Sequence, residues 1–103
     1  MTAPRSRLAE VCLLLNAEDA RYLVVGATAM QLWGTTRATR DIDILIDPTV
    51  ANAERAVAVF TVDGVPVPTL SLDNLIESKR TGRLQDDADI QLLEELRRLR
   101  QRM

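Results

Sequence analysis

The chain has no histidine and a single cysteine, Cys12. The first absence removes histidine general bases, Ser-His-Asp triads and histidine-ligated zinc from the available chemistry. A lone cysteine excludes an internal disulfide framework. Cys12 lies inside an apolar helical pattern and reads as a small buried hydrophobe. Aromatic residues make up only 3% of the sequence, so the core must be built from Leu, Val, Ile and Ala. So thin a core suggests that a second copy of the chain or a partner protein buries further apolar surface. The formal net charge of −2 exerts no global pull toward nucleic acid or anionic membrane, which makes any RNA or DNA contact a local matter. No apolar run approaches the roughly 20 residues needed to span a bilayer. Met1–Arg7 lacks the apolar centre of a secretory signal. The expectation is a cytoplasmic protein without a membrane segment.

What is present is ordinary globular material: 47% hydrophobic and 27% charged residues in 103, enough for one small domain. Leu8, Val11, Cys12 and Leu15 form a one-face helical stripe within Arg5–Asn16. Tyr22–Val25 is a short, partly β-branched run and reads as a buried strand. Gly26 ends it, Ala27–Trp33 reads as a helix of about two turns, and Gly34 is placed as its C-terminal stop. Thr35–Arg40 is a loop, and Asp41–Asp47 a second strand. Asp47-Pro48 then opens a helix over about Thr49–Arg55, with Asp as N-cap and Pro in the first turn.

The β-branched run Val57–Val62 reads as a strand, and Asp63-Gly64 between two valines signals a tight hairpin. Two prolines restrict the return strand, Val65–Pro68, to a sheet edge. Ser71 caps a helix over Leu72–Arg80, which Thr81-Gly82 breaks. A last helix, from about Asp86 to Gln101, carries an apolar stripe at Leu92, Leu93, Leu96, Leu99 and Met103. Its acids lead and its arginines trail, matching the helix dipole. The basic end reads as a solvated terminus rather than an RNA contact. The whole describes an α/β fold in one domain over 1–103, with a core at about 20–68, a short mixed sheet packed by helices, and a helical C-terminal part at about 71–103.

The chemistry concentrates where the first two strands meet. A strand turns alternate side chains to one face, so Asp41 and Asp43 share a face opposite Ile42, Ile44 and Ile46. Residues two apart lie roughly 7 Å apart at the backbone, given a rise of about 3.3 Å per residue. Two such carboxylates can converge on one hard cation whose shell a polyphosphate completes. Upstream, a strand that ends in Gly26 and opens a helix presents backbone N–H groups to an anion. Glycine lets the backbone approach a phosphate closely, and Thr28 offers a hydroxyl in the first turn. By itself Gly26 reads as a simple turn and Asp-x-Asp as a chance pairing. On consecutive strands they read together as a metal–triphosphate pair.

The stretch Val25-Gly26-Ala27-Thr28-Ala29, followed by Arg37-Ala38-Thr39-Arg40-Asp41-Ile42-Asp43-Ile44, resembles the signature of the minimal nucleotidyltransferases. It is closest to the AbiEii-like group of bacterial proteins, several of which are toxins of toxin–antitoxin or abortive-infection systems. Ser71–Arg80 and Arg83–Ile90 are similar to that group's "Leu-Ile-x-x-Lys" and "Arg-x-x-Asp-x-x-Asp" segments. The resemblance covers about Tyr22–Asp47 and Val65–Leu96. It implies a polymerase-β-like nucleotidyltransferase core in which Asp41 and Asp43 bind Mg²⁺. The reaction implied is transfer of a nucleoside monophosphate from an NTP to a hydroxyl of RNA or protein. Gly26, Ala27 and Thr28 would cradle phosphates, and Lys79 would place a point charge on the triphosphate or on a bound acidic group. Arg37 would contact phosphate or brace the loop against Asp86 or Asp89. Ala27 stands where the group has Gly or Ser, and keeps the backbone N–H that a phosphate needs. The group also carries a third carboxylate on a further strand. Asp63 is the acid in that interval, as a third metal ligand or as a residue of the hairpin turn. A descendant that keeps the fold as a nucleotide-binding or interaction module is the alternative.

Overall fold

A computed structural model describes residues 4–35, 41–46, 57–80 and 82–102. Its described elements run α1 (Arg7–Ala17), β1 (Tyr22–Val24), α2 (Gly26–Trp33), β2 (Ile44–Ile46), β3 (Val57–Val62), β4 (Val65–Leu70), α3 (Leu72–Ser78) and α4 (Leu84–Gln101). The helix expected over about 49–55 lies outside the described residues. The four strands form one mixed sheet in the order β2-β1-β4-β3. The β1–β2 and β3–β4 pairs are antiparallel, and β1 runs parallel to β4 with Val24 opposite Thr69. The fold is therefore the expected α/β type, a short sheet with helices before and after it.

One expectation is overturned. β4 lies inside the sheet, between β1 and β3, and not at its edge. The hairpin explains how two prolines are accommodated there. Val62 and Val65 flank the two-residue turn, so Val62↔Val65, Phe60↔Val67 and Ala58↔Thr69 occupy the hydrogen-bonded sites of the ladder. Pro66 and Pro68 fall between them, opposite Thr61 and Val59, where the missing N–H would have pointed away from β3. On that other side β4 pairs with β1 through Val24↔Thr69, beyond both prolines. The carbonyl of Pro66 is occupied by the Asn16 side-chain amide at 2.9 Å.

The helix-facing side of the sheet carries Tyr22, Val24, Val65 and Val67, packed on Ala9 and Cys12 of α1, Ala29 and Met30 of α2, Leu72, Leu75 and Ile76 of α3, and Leu93 of α4. Met30 is the largest of the fully buried side chains. Burial pushes the Cys12 thiol up from its ordinary pKa, which suits the role of a small hydrophobe.

The few aromatic residues each join separate elements. Tyr22 donates its hydroxyl to Asn16 at 2.7 Å, and burial raises its pKa. The Trp33 indole donates to the carbonyl of Leu70 at 2.9 Å, meets Phe60 edge-on at 5.0 Å and lies under the Arg100 guanidinium at 4.9 Å. α2, β3, β4 and α4 are thereby held at one residue.

The α4 stripe is also rotated from expectation. Asp86, Asp89 and Leu93 are the buried residues, with Ile90 and Leu96 partly covered, while Leu92 and Leu99 are exposed. The acids at 86 and 89 occupy the inward face because they pair there with Lys79.

Asp63 adopts a left-handed conformation, φ 49°, in the β3–β4 turn, and its carboxylate accepts the backbone N–H of Ser6 at 2.7 Å. That bond holds its pKa below the ordinary aspartate value, with Arg5 a smaller contributor. A carboxyl with a depressed folded-state pKa stabilises the fold above its unfolded value, and the contribution is lost as pH falls through the folded one. In an NMR-monitored titration the Asp63 carboxyl should therefore have a midpoint below that of an unstructured aspartate. The Asp63→Asn variant, which tolerates the same backbone, should lack this component of acid sensitivity. A midpoint at or above the unstructured value would show that the Ser6–Asp63 bond does not form in solution.

Candidate functional site

The site begins where β1 ends. Val25 is still extended, and its N–H donates to the carbonyl of Asp43 at 3.0 Å, carrying the β1–β2 ladder one residue past Val24. At Gly26 the chain turns with φ +60° into α2. A Cβ placed on Gly26 would stand 2.7 Å from Oδ2 of Asp43 and 3.1 Å from its Cγ. Glycine is thus required twice over, by the backbone angle and by the carboxylate lying against it. The carboxylate of Asp43 is set beside the first turn of α2. There the backbone N–H groups have no intrahelical acceptor and the helix dipole favours negative charge. Half-buried Ala27 follows Gly26 in that turn.

Thr28 holds the arrangement. Its side chain is 4% exposed, and its hydroxyl donates to the carbonyl of Asp41 at 3.2 Å while accepting the N–H of Asp43 at 3.1 Å. One hydroxyl fastens the two residues that flank Ile42. Both recorded bonds of the hydroxyl go to backbone, so Thr28 acts on the site by positioning the aspartates.

The expected strand from Asp41 is shorter than anticipated, since β2 begins at Ile44 and Asp41 sits at a bend. Asp43 is a ladder residue through Val25, and Asp41 lies beyond it with an exposed side chain. The Thr28 bridge, rather than strand pleating, relates the two acids.

Of the sequence candidates, the structure therefore brings together Gly26, Thr28, Asp43 and the backbone of Asp41. Asp63 is not among them. β4 runs parallel to β1 with Thr69 opposite Val24, so the hairpin turn and Asp43 lie at opposite ends of the sheet. Val65 to Thr69 alone spans roughly 13 Å at about 3.3 Å per residue. The reading of Asp63 as a third metal ligand is corrected accordingly: it is a turn residue that caps the start of α1. Arg37 lies outside the described residues.

Lys79 forms the C-cap of α3, with its ammonium 3.2 Å from Asp89 Oδ2 and 3.6 Å from Asp86 Oδ1. Asp86 also takes Arg83 Nε at 2.8 Å. Asp86 and Asp89 are 4% and 2% exposed, so this is a buried ionic cluster joining the α3–α4 connection to α4. Such carboxylates are retained inside only when paired. Their role as counter-charges to Lys79 was not assigned from sequence. The available signal was the spacing 86, 89, 93, which sets both acids on one helix face with a core leucine.

Magnesium takes hard oxygen ligands, commonly one or two protein carboxylates with phosphate and water completing its shell. Asp41 and Asp43 fit that donor class. Among the described residues, no three acidic, cysteine or histidine side chains converge as a metal site.

Two substitutions test the geometry. Gly26→Ala forces a methyl group into the Asp43 carboxylate at an unfavourable φ and should destabilise the fold by about 1–3 kcal/mol. Thr28→Val keeps the side-chain shape but leaves the Asp43 N–H without its acceptor, at a cost of about 1–3 kcal/mol. Urea unfolding reads both. Hydrogen exchange at the Asp43 amide should quicken in Thr28→Val, and an unchanged rate would refute the bridge.

No family model, curated protein or solved structure matches this chain.

Proposed function

We propose that this protein is a minimal nucleotidyltransferase-type domain that binds a magnesium–nucleoside triphosphate at the β1–α2 turn. The observation that carries the reading is the placement of the Asp43 carboxylate against Gly26, at the N-terminal turn of an eight-residue helix. A carboxylate and the free amides of a helix N-terminus are adjacent there, the two kinds of group that a metal-bound polyphosphate requires.

In this reading Asp41 and Asp43 hold Mg²⁺. When bound, the ion neutralises charge on the triphosphate and favours deprotonation of an acceptor hydroxyl. The chain's own residues supply position. The amides of Gly26 and Ala27 face phosphate oxygens, and Gly26, lacking a side chain, lets the Asp43 carboxylate lie close beside them. Thr28 holds the Asp41–Asp43 segment to α2, so that the acids keep their place as charge gathers. Lys79 does its work within the Asp86–Asp89 cluster, steadying the connection between α3 and α4. Transfer of a nucleoside monophosphate to an RNA or protein hydroxyl is the reaction this arrangement supports. The position of Asp63 in the distant hairpin favours a second reading, a module of the same type that binds nucleotide without transferring it.

Calorimetric titration with each of the four NTPs, with and without Mg²⁺, tests the proposal. Binding should require the metal and should weaken by about tenfold or more, about 1.4 kcal/mol, in Asp43→Asn. The substitution removes a charge at nearly constant volume, so circular dichroism and thermal unfolding should stay close to the parent. Equal affinity with and without Mg²⁺, or an unaffected Asp43→Asn variant, would refute the metal role. Pyrophosphate release by the parent but not the variant would select transfer over binding alone.

A further inference from the structure

The rotated stripe of α4 leaves a second apolar face. Leu92 and Leu99 are 55% and 51% exposed, on either side of the partly covered Leu96. The steps 92, 96, 99 follow the alternating four-and-three spacing of a helix–helix seam. Between this seam and the C-terminal cap of α2 lies a groove of about 250 Å³, lined by Gly34, Thr35, Leu92, Glu95, Leu96 and Leu99. Its four α4 residues stand at i, i+3, i+4 and i+7, the set that forms a hole for a side chain of a facing helix. Gly34, left-handed at φ +116°, keeps the opposite wall low, since a Cβ there would already touch Leu96.

Charge indicates what fills the groove. α4 opens with Asp86 and Asp87 in its first turn and closes with Arg98 and Arg100 in its last. Asp86 is engaged within the chain by Lys79 and Arg83, so the charges left to meet a partner are those that flank the seam. Glu95 and Arg102 lie seven apart on the same flank of the seam. In an antiparallel pair that sets Leu96 of each copy against Leu99 of the other, each Glu95 faces the Arg102 of the other copy, twice by symmetry. Arg102 has no ion pair among the described residues. Glu95 is bonded within the chain to exposed Arg98 at 2.7 Å, a surface contact that is readily exchanged.

We infer that this groove is the seat of a second copy of the chain, with two α4 helices packed antiparallel about a two-fold axis and the leucines of each entering the groove of the other. The seam spans only two helical turns, so the interface falls at the small end of specific interfaces and its dissociation constant in the micromolar range. The inference is independent of the nucleotide reading, since none of its residues belongs to the β1–α2 site.

Sedimentation velocity over a concentration series tests it on the full chain. The parent should pass from monomer to dimer. The doubly substituted Leu92→Glu, Leu99→Glu chain, altered only at side chains already exposed, should keep its circular dichroism spectrum and weaken association by about tenfold or more. Glu95→Arg and Arg102→Glu should each weaken the dimer, and the double swap should restore it. Three results would overturn the proposal: a parent that stays monomeric throughout, self-association unaffected by the leucine substitutions, or a double swap no stronger than either single one. A chain that stays monomeric and gains mass only on adding RNA would assign the basic helix end to RNA instead.

Discussion

The site depends on the two hydrogen bonds of one buried hydroxyl. Thr28 accepts the Asp43 amide and donates to the Asp41 carbonyl, tying an irregular segment to the first turn of α2. The segment lies at the end of a three-residue strand whose ladder continues only through Val25. A strand this short does little to orient what precedes it. The hydroxyl supplies the missing constraint, and Gly26 supplies the space. The backbone angle, the open position at Gly26 and the threonine bridge all act on the same carboxylate.

The rest of the fold shows how a chain poor in aromatics compensates. Aliphatic burial between one sheet face and four helices provides the main apolar contribution. Single polar contacts then join elements that packing alone leaves free to slide. The chain from Tyr22 through Asn16 to Pro66 ties β1 and α1 to β4. Trp33 ties α2 to the end of β4 and to α4. These bonds are directional, so they set the register of the layers as well as adding stability.

α4 serves two purposes along its length. Its first half turns two acids inward, where Lys79 and Arg83 offset their charge. A buried ionic group of this kind is costly to break and specifies one docking of the helix. Its second half presents leucines on both sides of Leu96, one side to the core through Leu93 and the other outward. The inward acids account for the rotation. Once Asp86 and Asp89 face α3, the face carrying Leu92 and Leu99 has no room in the core.

Local signals determined most of the elements. Ser6 and Ser71 cap their helices, Gly34 ends α2 in a left-handed turn, and Asp63-Gly64 turns a hairpin with the expected strand on each side. Each rests on one or two residues whose backbone preferences act over a few positions, so they can be read without knowing the neighbours. The closeness of Gly26, just past the end of β1, and Asp43, just before β2, followed from the order of the two strands. The tertiary structure alone decided the rest. It set β4 inside the sheet, because the proline register depends on which side each missing N–H faces. It placed Asp63 at the far end from Asp43, because that depends on the parallel pairing of β1 with β4. It put Thr28 on backbone and Lys79 between two buried acids, because a hydroxyl or an ammonium takes the partner that folding brings near, and spacing along the chain carries no record of which partner that is.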